Sequence, residues 1–340
     1  MTIHAALATL AEGHNLTQAE TRDVFKAVMS GEATPAQIGG LLMAFRVKGE
    51  TAEEIAGAAQ TMRELSTKVS VDVPYLVDTC GTGGSGAKLF NISTAAAFVA
   101  AAAGAKVAKH GNRKMTSASG SADVLEAAGV NLNLTPAQIA HCISEVGVGF
   151  LFAQAHHSAM RFAAPVRQEL KVRTMMNLIG PLTNPAGARR QVIGVFSPLW
   201  QRRMAEVARL LGSEHVLVVH SNGLDEISLS GPSYVVELKR GEIIEYEIDP
   251  EDFGMTTRST EELRADTVGA SLELIETALN QPDSAAADIV CLNAGAAIYA
   301  AGVATTLGNG VIMAQDAVAS GLADERMQEL VRISRLMGED

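Results

Sequence analysis

The sequence predicts a two-part α/β protein, with an all-helical N-terminal region followed by a larger region built on a mostly parallel central sheet. Three observations carry this reading. Up to about residue 68 every apolar stripe has helical period. From residue 69 onward strand-like and helix-like segments alternate at the spacing of parallel strands joined by crossover helices. The chain's 340 residues, 47% of them hydrophobic, suffice to bury a large core in roughly two domains.

The first elements announce themselves by their caps. Thr17-Gln18-Ala19-Glu20 and Thr51-Ala52-Glu53-Glu54 are capping-box patterns, and Thr34-Pro35-Ala36-Gln37 joins an N-cap to a proline at the first helical position. Each leads into a stripe of helical period: Val24, Ala27 and Val28; Ile38, Leu41, Leu42 and Phe45; Ile55, Ala58, Met62 and Leu65. The pattern changes at Val69-Ser70-Val71-Asp72-Val73-Pro74, an alternating stretch that leads into a buried strand at Tyr75-Leu76-Val77-Asp78.

Further strands are expected at Ala105–Ala108, Gly149–Phe152, Val192–Phe196 and Val216–His220. Helical patterns separate them at Ser93–Ala103, Thr135–Val146, Ser158–Leu170 and Trp200–Leu211. Tyr234–Lys239 and Glu242–Tyr246 alternate with period two around Arg240-Gly241 and should pair antiparallel. From Ser271 the chain returns to helices, with no repeat array and no long linker.

The distribution of charge singles out one segment. Residues 79–122 contain no Asp or Glu, although the chain carries 38 of them. Into that stretch fall Gly81-Thr82-Gly83-Gly84-Ser85-Gly86, then Asn91-Ile92-Ser93-Thr94 opening an Ala-rich helix, then Lys109-His110-Gly111-Asn112-Arg113-Lys114. Glycines let backbone N–H groups converge on an anion, and a helix N-terminus adds partial positive charge. Lysines and arginines add full charges with no carboxylate nearby in sequence to cancel them. An anionic ligand is expected here.

Composition narrows its size. A net charge of −11 and a pI near 5.3 argue against nucleic acid, which needs a broad basic face. A small anion fits. Cys80, Cys142 and Cys291 are too few and too scattered for a disulfide framework, which points to a reducing cytoplasm, and none is placed like a metal ligand. The N-terminal residues lack a basic region followed by an apolar core, and no apolar run reaches the ~18 residues of a membrane span. The expectation is a soluble protein that is not exported.

Gly81-x-Gly83-x-x-Gly86 literally matches the dinucleotide fingerprint. That motif needs its helix to open within the glycines and an acidic residue about 20 positions on. Here the helix pattern starts at Ser93 and the first acid is Asp123, so a dinucleotide site is rejected. A glycine-rich turn without ligand leaves the charge asymmetry unexplained.

Read together, Gly81–Gly84, Asn91–Thr94, Lys109–Arg113 and Ser119-Gly120-Ser121-Ala122-Asp123 closely resemble the anthranilate phosphoribosyltransferase family. Gly180-Pro181-Leu182-Thr183-Asn184-Pro185 and the Asp225-Glu226 pair follow in that family's order, so the resemblance covers nearly the whole chain. It implies a fold of the nucleoside phosphorylase and phosphoribosyltransferase type. The helical domain would be residues 1–68 with about 165–188, and the α/β domain 69–164 with 189–340. It also implies transfer of a phosphoribosyl group from phosphoribosyl pyrophosphate to the amine of anthranilate, in tryptophan biosynthesis, with Mg2+ as cofactor and a homodimer formed through the helical domain. An aromatic amine is unprotonated at neutral pH, so neither a covalent nucleophile nor a strong base is expected.

By the same resemblance the phosphoribosyl pyrophosphate site comprises Gly81, Gly84, Ser85, Asn91, Ile92, Ser93, Thr94, Lys109, His110, Gly111, Asn112, Arg113, Ser117 and Ser121. Gly81, Asn112 and Arg167 border anthranilate, with Arg167 placed on the face of its helix shared by Met160 and Ala164. Ser93, Asp225 and Glu226 would hold the metal. The residues by themselves allow other roles. Ser119 or Ser121 could cap the following helix, Asp225-Glu226 could be a solvated pair, Arg167 an ordinary surface arginine, and His156-His157 no more than the lining of an entrance.

The chain departs from the family pattern at several points. Ser85 stands where Asp is common, Leu89 where a hydroxyl is frequent, Lys114 where small residues are common, and Ser158 where Pro usually follows. Ser85 is therefore read as a backbone donor only. A pyrimidine nucleoside phosphorylase, of related fold, would carry a Lys just before the glycine run, where Thr79 and Cys80 stand instead. A catalytically inactive, ligand-sensing homologue is the remaining reading.

Overall fold

The computed structural model describes residues 1–83, 86–113 and 119–338. Four helices come first: α1 (Ile3–Ala11), α2 (Gln18–Ser30), α3 (Pro35–Lys48) and α4 (Ala52–Leu65). The capping boxes predicted at Thr17 and Thr51 close, and the Thr34 N-cap closes one with Gln37 as well: each Thr accepts from the third residue's N–H and each Glu or Gln side chain accepts from the Thr N–H.

The alternating part begins with β1 (Leu76–Gly81), α5 (Ile92–Ala102), β2 (Lys106–Gly111), α6 (Ser121–Ala128), α7 (Pro136–Glu145) and β3 (Val148–Phe152). It continues with α8 (Ala153–His156), α9 (Ala164–Leu170), β4 (Arg190–Gly194), α10 (Gln201–Leu210) and β5 (His215–His220). The hairpin β6 (Ser233–Lys239) and β7 (Glu242–Ile248) follows, then α11 (Val268–Asn280), α12 (Ala285–Ala301), α13 (Leu307–Ala319) and α14 (Leu322–Leu336). The strands form one sheet in the order β3-β2-β1-β4-β5-β6-β7, parallel through β5, with β6 and β7 antiparallel around Arg240-Gly241.

Period-two alternation splits β5 between two cores. Leu217 and Val219 pack with α5, α12 and the other C-terminal helices, while Val216 and Val218 pack with α10 and the N-terminal helices. The helical core thus runs without interruption from Phe45 and Ile55 through Met175 and Leu182 onto the sheet. Among the described residues no single helix is long and apolar enough to cross a membrane.

Two expectations need correction. The strand expected at Tyr75–Asp78 starts only after Tyr75, whose φ is 57°, and ahead of it Val69 N–H donates to the Pro185 carbonyl. That strand then runs beyond Asp78 into Gly81. The helix expected over Ser158–Leu170 is broken into a 3-10 turn, Ser158–Phe162, and α9, so Met160 and Arg167 share no helix face. Pro165 has no N–H to continue the earlier turn.

Candidate active site

The strand order fixes where a ligand can sit. From β1 the chain moves to β2 and β3 on one side, whereas β4 and β5 add on the other. Such a reversal opens a crevice beyond the carboxyl ends of the two central strands. There Gly81 of β1 and Gly194 of β4 are direct partners. The loop leaving β1 is tied back across them, with Thr82 N–H donating to Gly194 O at 2.9 Å and Phe196 N–H to Thr82 Oγ1 at 3.2 Å. Gly83 has φ of 67°, which glycine adopts freely. Gly84, Ser85 and Ser117, three of the expected ligand residues, lie outside the described residues.

Helix α5 opens at the crevice, eleven residues beyond the end of β1, as the rejection of a dinucleotide motif requires. Asn91 does not cap it. Its side-chain oxygen accepts from Ser119 Oγ at 2.6 Å and from Ser271 Oγ at 2.8 Å, and Ser271 Oγ accepts from Asn91 N–H at 3.0 Å. Ile92 is a core side chain whose N–H is spent on Phe90 O. Thr94 Oγ1 donates to Ser121 Oγ at 3.2 Å. Neither Ser119 nor Ser121 caps α6. Gly120 is the cap, with its N–H on the Asp123 carboxylate at 2.9 Å, and both serines reach back to the α5 entrance instead.

Lys109 and Arg113 behave differently from the charges expected of them. Lys109 is only 2% exposed; its Nζ donates to Thr79 O at 2.7 Å and to Ser93 Oγ at 3.2 Å, beneath the crevice floor. Burial lowers its pKa, opposed chiefly by the charge of Asp78. Arg113 is paired, with Nη1 2.7 Å from Glu126 and 3.3 Å from Asp123. A stretch free of acids in sequence is therefore not free of them in space, because α6 folds its carboxylates back onto Arg113. Asn112 Oδ1 accepts from Arg113 N–H and Gln154 Nε2. Gly111 is small because a Cβ there would come within 2.9 Å of Phe150 and 3.1 Å of Ser121.

The carboxylate pair closes the crevice from the β5 side. A Cβ at Gly81 would come within 2.9 Å of Asp225 Oδ2. Ser221 Oγ donates to Glu226 O at 3.0 Å. Glu226 shares a small cavity of about 10 Å³ with Ser93, Thr79 and Asn293. Burial first, then the neighbouring Asp225 charge, push the Glu226 carboxyl up to about 8, while Lys109 and the Ser93 amide favour its ionised form.

On the other side of β2, His110 packs on His157 with ring centres 5.2 Å apart, and His156 Nδ1 lies 2.7 Å from Thr67 O. Burial, then the other histidines, hold His110 down to about 3, and His157 down to about 4. The Arg167 guanidinium on α9 has no hydrogen bond or ion pair among the described residues, although burial lowers its pKa. An unpaired, partly desolvated guanidinium suits a carboxylate brought in from outside.

The donor set fits one hard divalent cation. Asp225, Glu226 and the Ser93 hydroxyl offer oxygens, and the mutual repulsion of the two carboxylates is what a cation would relieve. Among the described residues no group of three His, Cys, Asp or Glu could hold a metal. The ion would therefore take its remaining oxygens from water and substrate, as Mg2+ does. Sequence reading missed Asp78, Ser271 and Asn293. Fully buried Asp78 accepts from His110 N–H at 3.1 Å and Gln191 Nε2 at 3.4 Å, and closing the acid-free stretch was its only signal.

The fold and the crevice define a protein of the glycosyl transferase family, whose helical bundle domain model matches residues 4–66 and whose a/b domain model matches residues 73–324. The chain is 56% identical to the anthranilate phosphoribosyltransferase of Hahella chejuensis, with 100% of both chains covered. It is 44% identical to the crystal structure of anthranilate phosphoribosyltransferase from Thermus thermophilus, with a TM-score of 0.92 over 97% of this chain and 99% of that one. The Saccharomyces cerevisiae anthranilate phosphoribosyltransferase in complex with PRPP and Mg shares the fold, with a TM-score of 0.88 at 23% identity over 98% of each chain. The chain belongs to the anthranilate phosphoribosyltransferase family.

Proposed function

We propose that the chain transfers the phosphoribosyl group of phosphoribosyl pyrophosphate to the amine of anthranilate, releasing pyrophosphate, as a step of tryptophan biosynthesis. One observation carries this reading: a carboxylate pair set over two paired glycines at the strand-order reversal, beside a helix N-terminus with a buried lysine under it. Pyrophosphate leaving C1 makes the sugar oxocarbenium-like, so the site's main task is to stabilise charge on the leaving group. The N-terminus of α5 directs its partial positive charge at that leaving group, and Gly83, with its φ of 67°, lets the chain after β1 approach it closely. Asp225, Glu226 and Ser93 would hold Mg2+. When bound, the ion would offset the negative charge that builds on pyrophosphate.

Lys109 contributes by fixing Ser93 and by its buried charge. Gly81, Asn112 and Arg167 would border anthranilate, with Arg167 gripping its carboxylate so that the amine is aligned on C1. No side chain needs to attack. The Cys80 thiol, which lines the cavity shared with Glu226, is held well above its usual pKa by burial and by Asp78, and so stays protonated.

Family likeness supports a cytoplasmic homodimer formed through the helical domain, with residues 1–68 and about 165–188 as that domain. Val47, 81% exposed at the end of α3, is an apolar side chain such an interface would cover. Sedimentation tests the dimer. The activity is tested by the fluorescence of anthranilate: it should fall on adding the protein, phosphoribosyl pyrophosphate and Mg2+, and not when either ligand is omitted. Turnover of a pyrimidine nucleoside with phosphate, and none of anthranilate, would overturn the reading.

A further inference from the structure

We propose that Asn293, on the interior helix α12, is a positioning residue for the carboxylate pair. Its amide grips the backbone of Ile227, the residue directly after Glu226, by both polar groups: Ile227 N–H donates to Asn293 Oδ1 at 3.0 Å, and Asn293 Nδ2 donates to Ile227 O at 2.9 Å. The second Nδ2 hydrogen goes to Ile289 O, also at 2.9 Å. Both donors and the acceptor are therefore used, and only this orientation of the amide satisfies them.

Asn293 is 3% exposed in a helix that is otherwise almost wholly apolar. An amide is a poor helix former and costly to bury, so its presence needs the bonds it makes. Those bonds act on the loop that carries Asp225 and Glu226. Ser221 fixes the carbonyl of Glu226 itself, Gly194 lies against the backbone of Asp225, and Asn293 fixes the next residue. It also lines the small cavity that Glu226 shares with Ser93 and Thr79, and so stands next to the carboxylate as well as behind its backbone in sequence. Removing the amide leaves two buried backbone groups of Ile227 unpaired and frees the segment that aims Glu226.

The inference rests on the reading that Asp225 and Glu226 hold the cation. It is tested with the full chain and Mn2+ as the probe, following the electron paramagnetic resonance of the free ion with and without inorganic pyrophosphate. Anthranilate binding is measured in parallel by fluorescence. Asn293→Ala should weaken Mn2+ binding roughly tenfold or more, the range seen when partners of metal ligands are removed, with anthranilate binding unchanged. Asn293→Ser is the second variant if Asn293→Ala does not fold. Asp225→Asn with Glu226→Gln should lose Mn2+ binding altogether.

If that double variant loses the ion while a folded Asn293 variant binds it like wild type, the proposal alone is overturned. If the double variant binds Mn2+ like wild type, the cation reading fails and takes the proposal with it. Equal loss of anthranilate and Mn2+ affinity, or failure of both Asn293 variants to fold, would mean that Asn293 serves the fold and not the site.

Discussion

The carbonyl oxygen of Asp225 lies where a side chain at Gly194 would begin: a Cβ on Gly194 would stand 1.7 Å from it. Backbone cannot yield as a flexible side chain can, so the carboxylate loop and β4 are in contact only because position 194 is glycine. Gly194→Ala should displace Asp225 by about an ångström and lower kcat by about 100-fold, the usual effect of such a misplacement. Steady-state kinetics against Mg2+ concentration, beside a thermal melt, checks it. A fully active variant would show that the loop is free to move.

Arg167→Ala should raise the KM for anthranilate and leave that for phosphoribosyl pyrophosphate nearly unchanged, because the guanidinium has no other partner among the described residues. Arg167→Lys should recover charge without the two parallel hydrogen bonds, and so keep a low kcat. Kinetics with each substrate varied in turn decides this. Wild-type KM for anthranilate in both variants would place the acceptor elsewhere.

Lys109→Ala should weaken phosphoribosyl pyrophosphate binding by about 1.5–3 kcal/mol, the cost of losing a charge-assisted contact, and anthranilate binding much less. Its Nζ is held by Thr79 and Ser93, so the loss acts partly through Ser93. Isothermal titration with each substrate measures the split. Equal affinities for wild type and variant would remove Lys109 from the site.

Ser271→Ala removes one of the two hydroxyls held by Asn91 Oδ1, across 180 residues of sequence. Phosphoribosyl pyrophosphate affinity should fall severalfold with anthranilate affinity intact, again by titration. Restoration by Ser271→Thr would confirm the hydroxyl as the active group.

Stability should fall with acidification. Free imidazole titrates near ~6.5, whereas burial holds His157 down to about 4 and His110 down to about 3. Between those values the unfolded chain binds protons that the folded chain refuses, so stability is present above pH ~6.5 and lost as pH falls toward ~4. Each such histidine accounts for about 2 kcal/mol by pH 5, at 1.36 kcal/mol per unit. Thermal midpoints at pH 7 and pH 5 should converge for His157→Phe relative to wild type.

Local rules were sufficient for the elements. The capping boxes at Thr17 and Thr51, the Thr34 N-cap with its proline, the period-two hairpin and the strand at Val216–His220 were all legible because each is decided by residues a few positions apart. The crevice was legible where its parts sit in motifs, at Gly81, Asn91–Thr94 and Asp225-Glu226. It was illegible where partners arrive by topology. Glu126 neutralises Arg113 only because α6 turns back, and Ser271 meets Asn91 only because α11 packs behind α5. The break before α9 was missed because helical period was read through Pro165.

The grip of Ser271 on Asn91 and of Asn293 on Ile227 also bears on when the protein becomes competent during its own synthesis. The phosphate-side loops leave the ribosome 180 residues before Ser271, and Ile227 leaves 66 residues before Asn293. A nascent chain ending after the hairpin would already hold every strand of the sheet, yet Asn91 and the carboxylate loop would lack the helices that fix them. Contacts of such long separation form late. Substrate binding is therefore gained in the last stage of folding, and a chain truncated before α11 should be inert even where its sheet has formed.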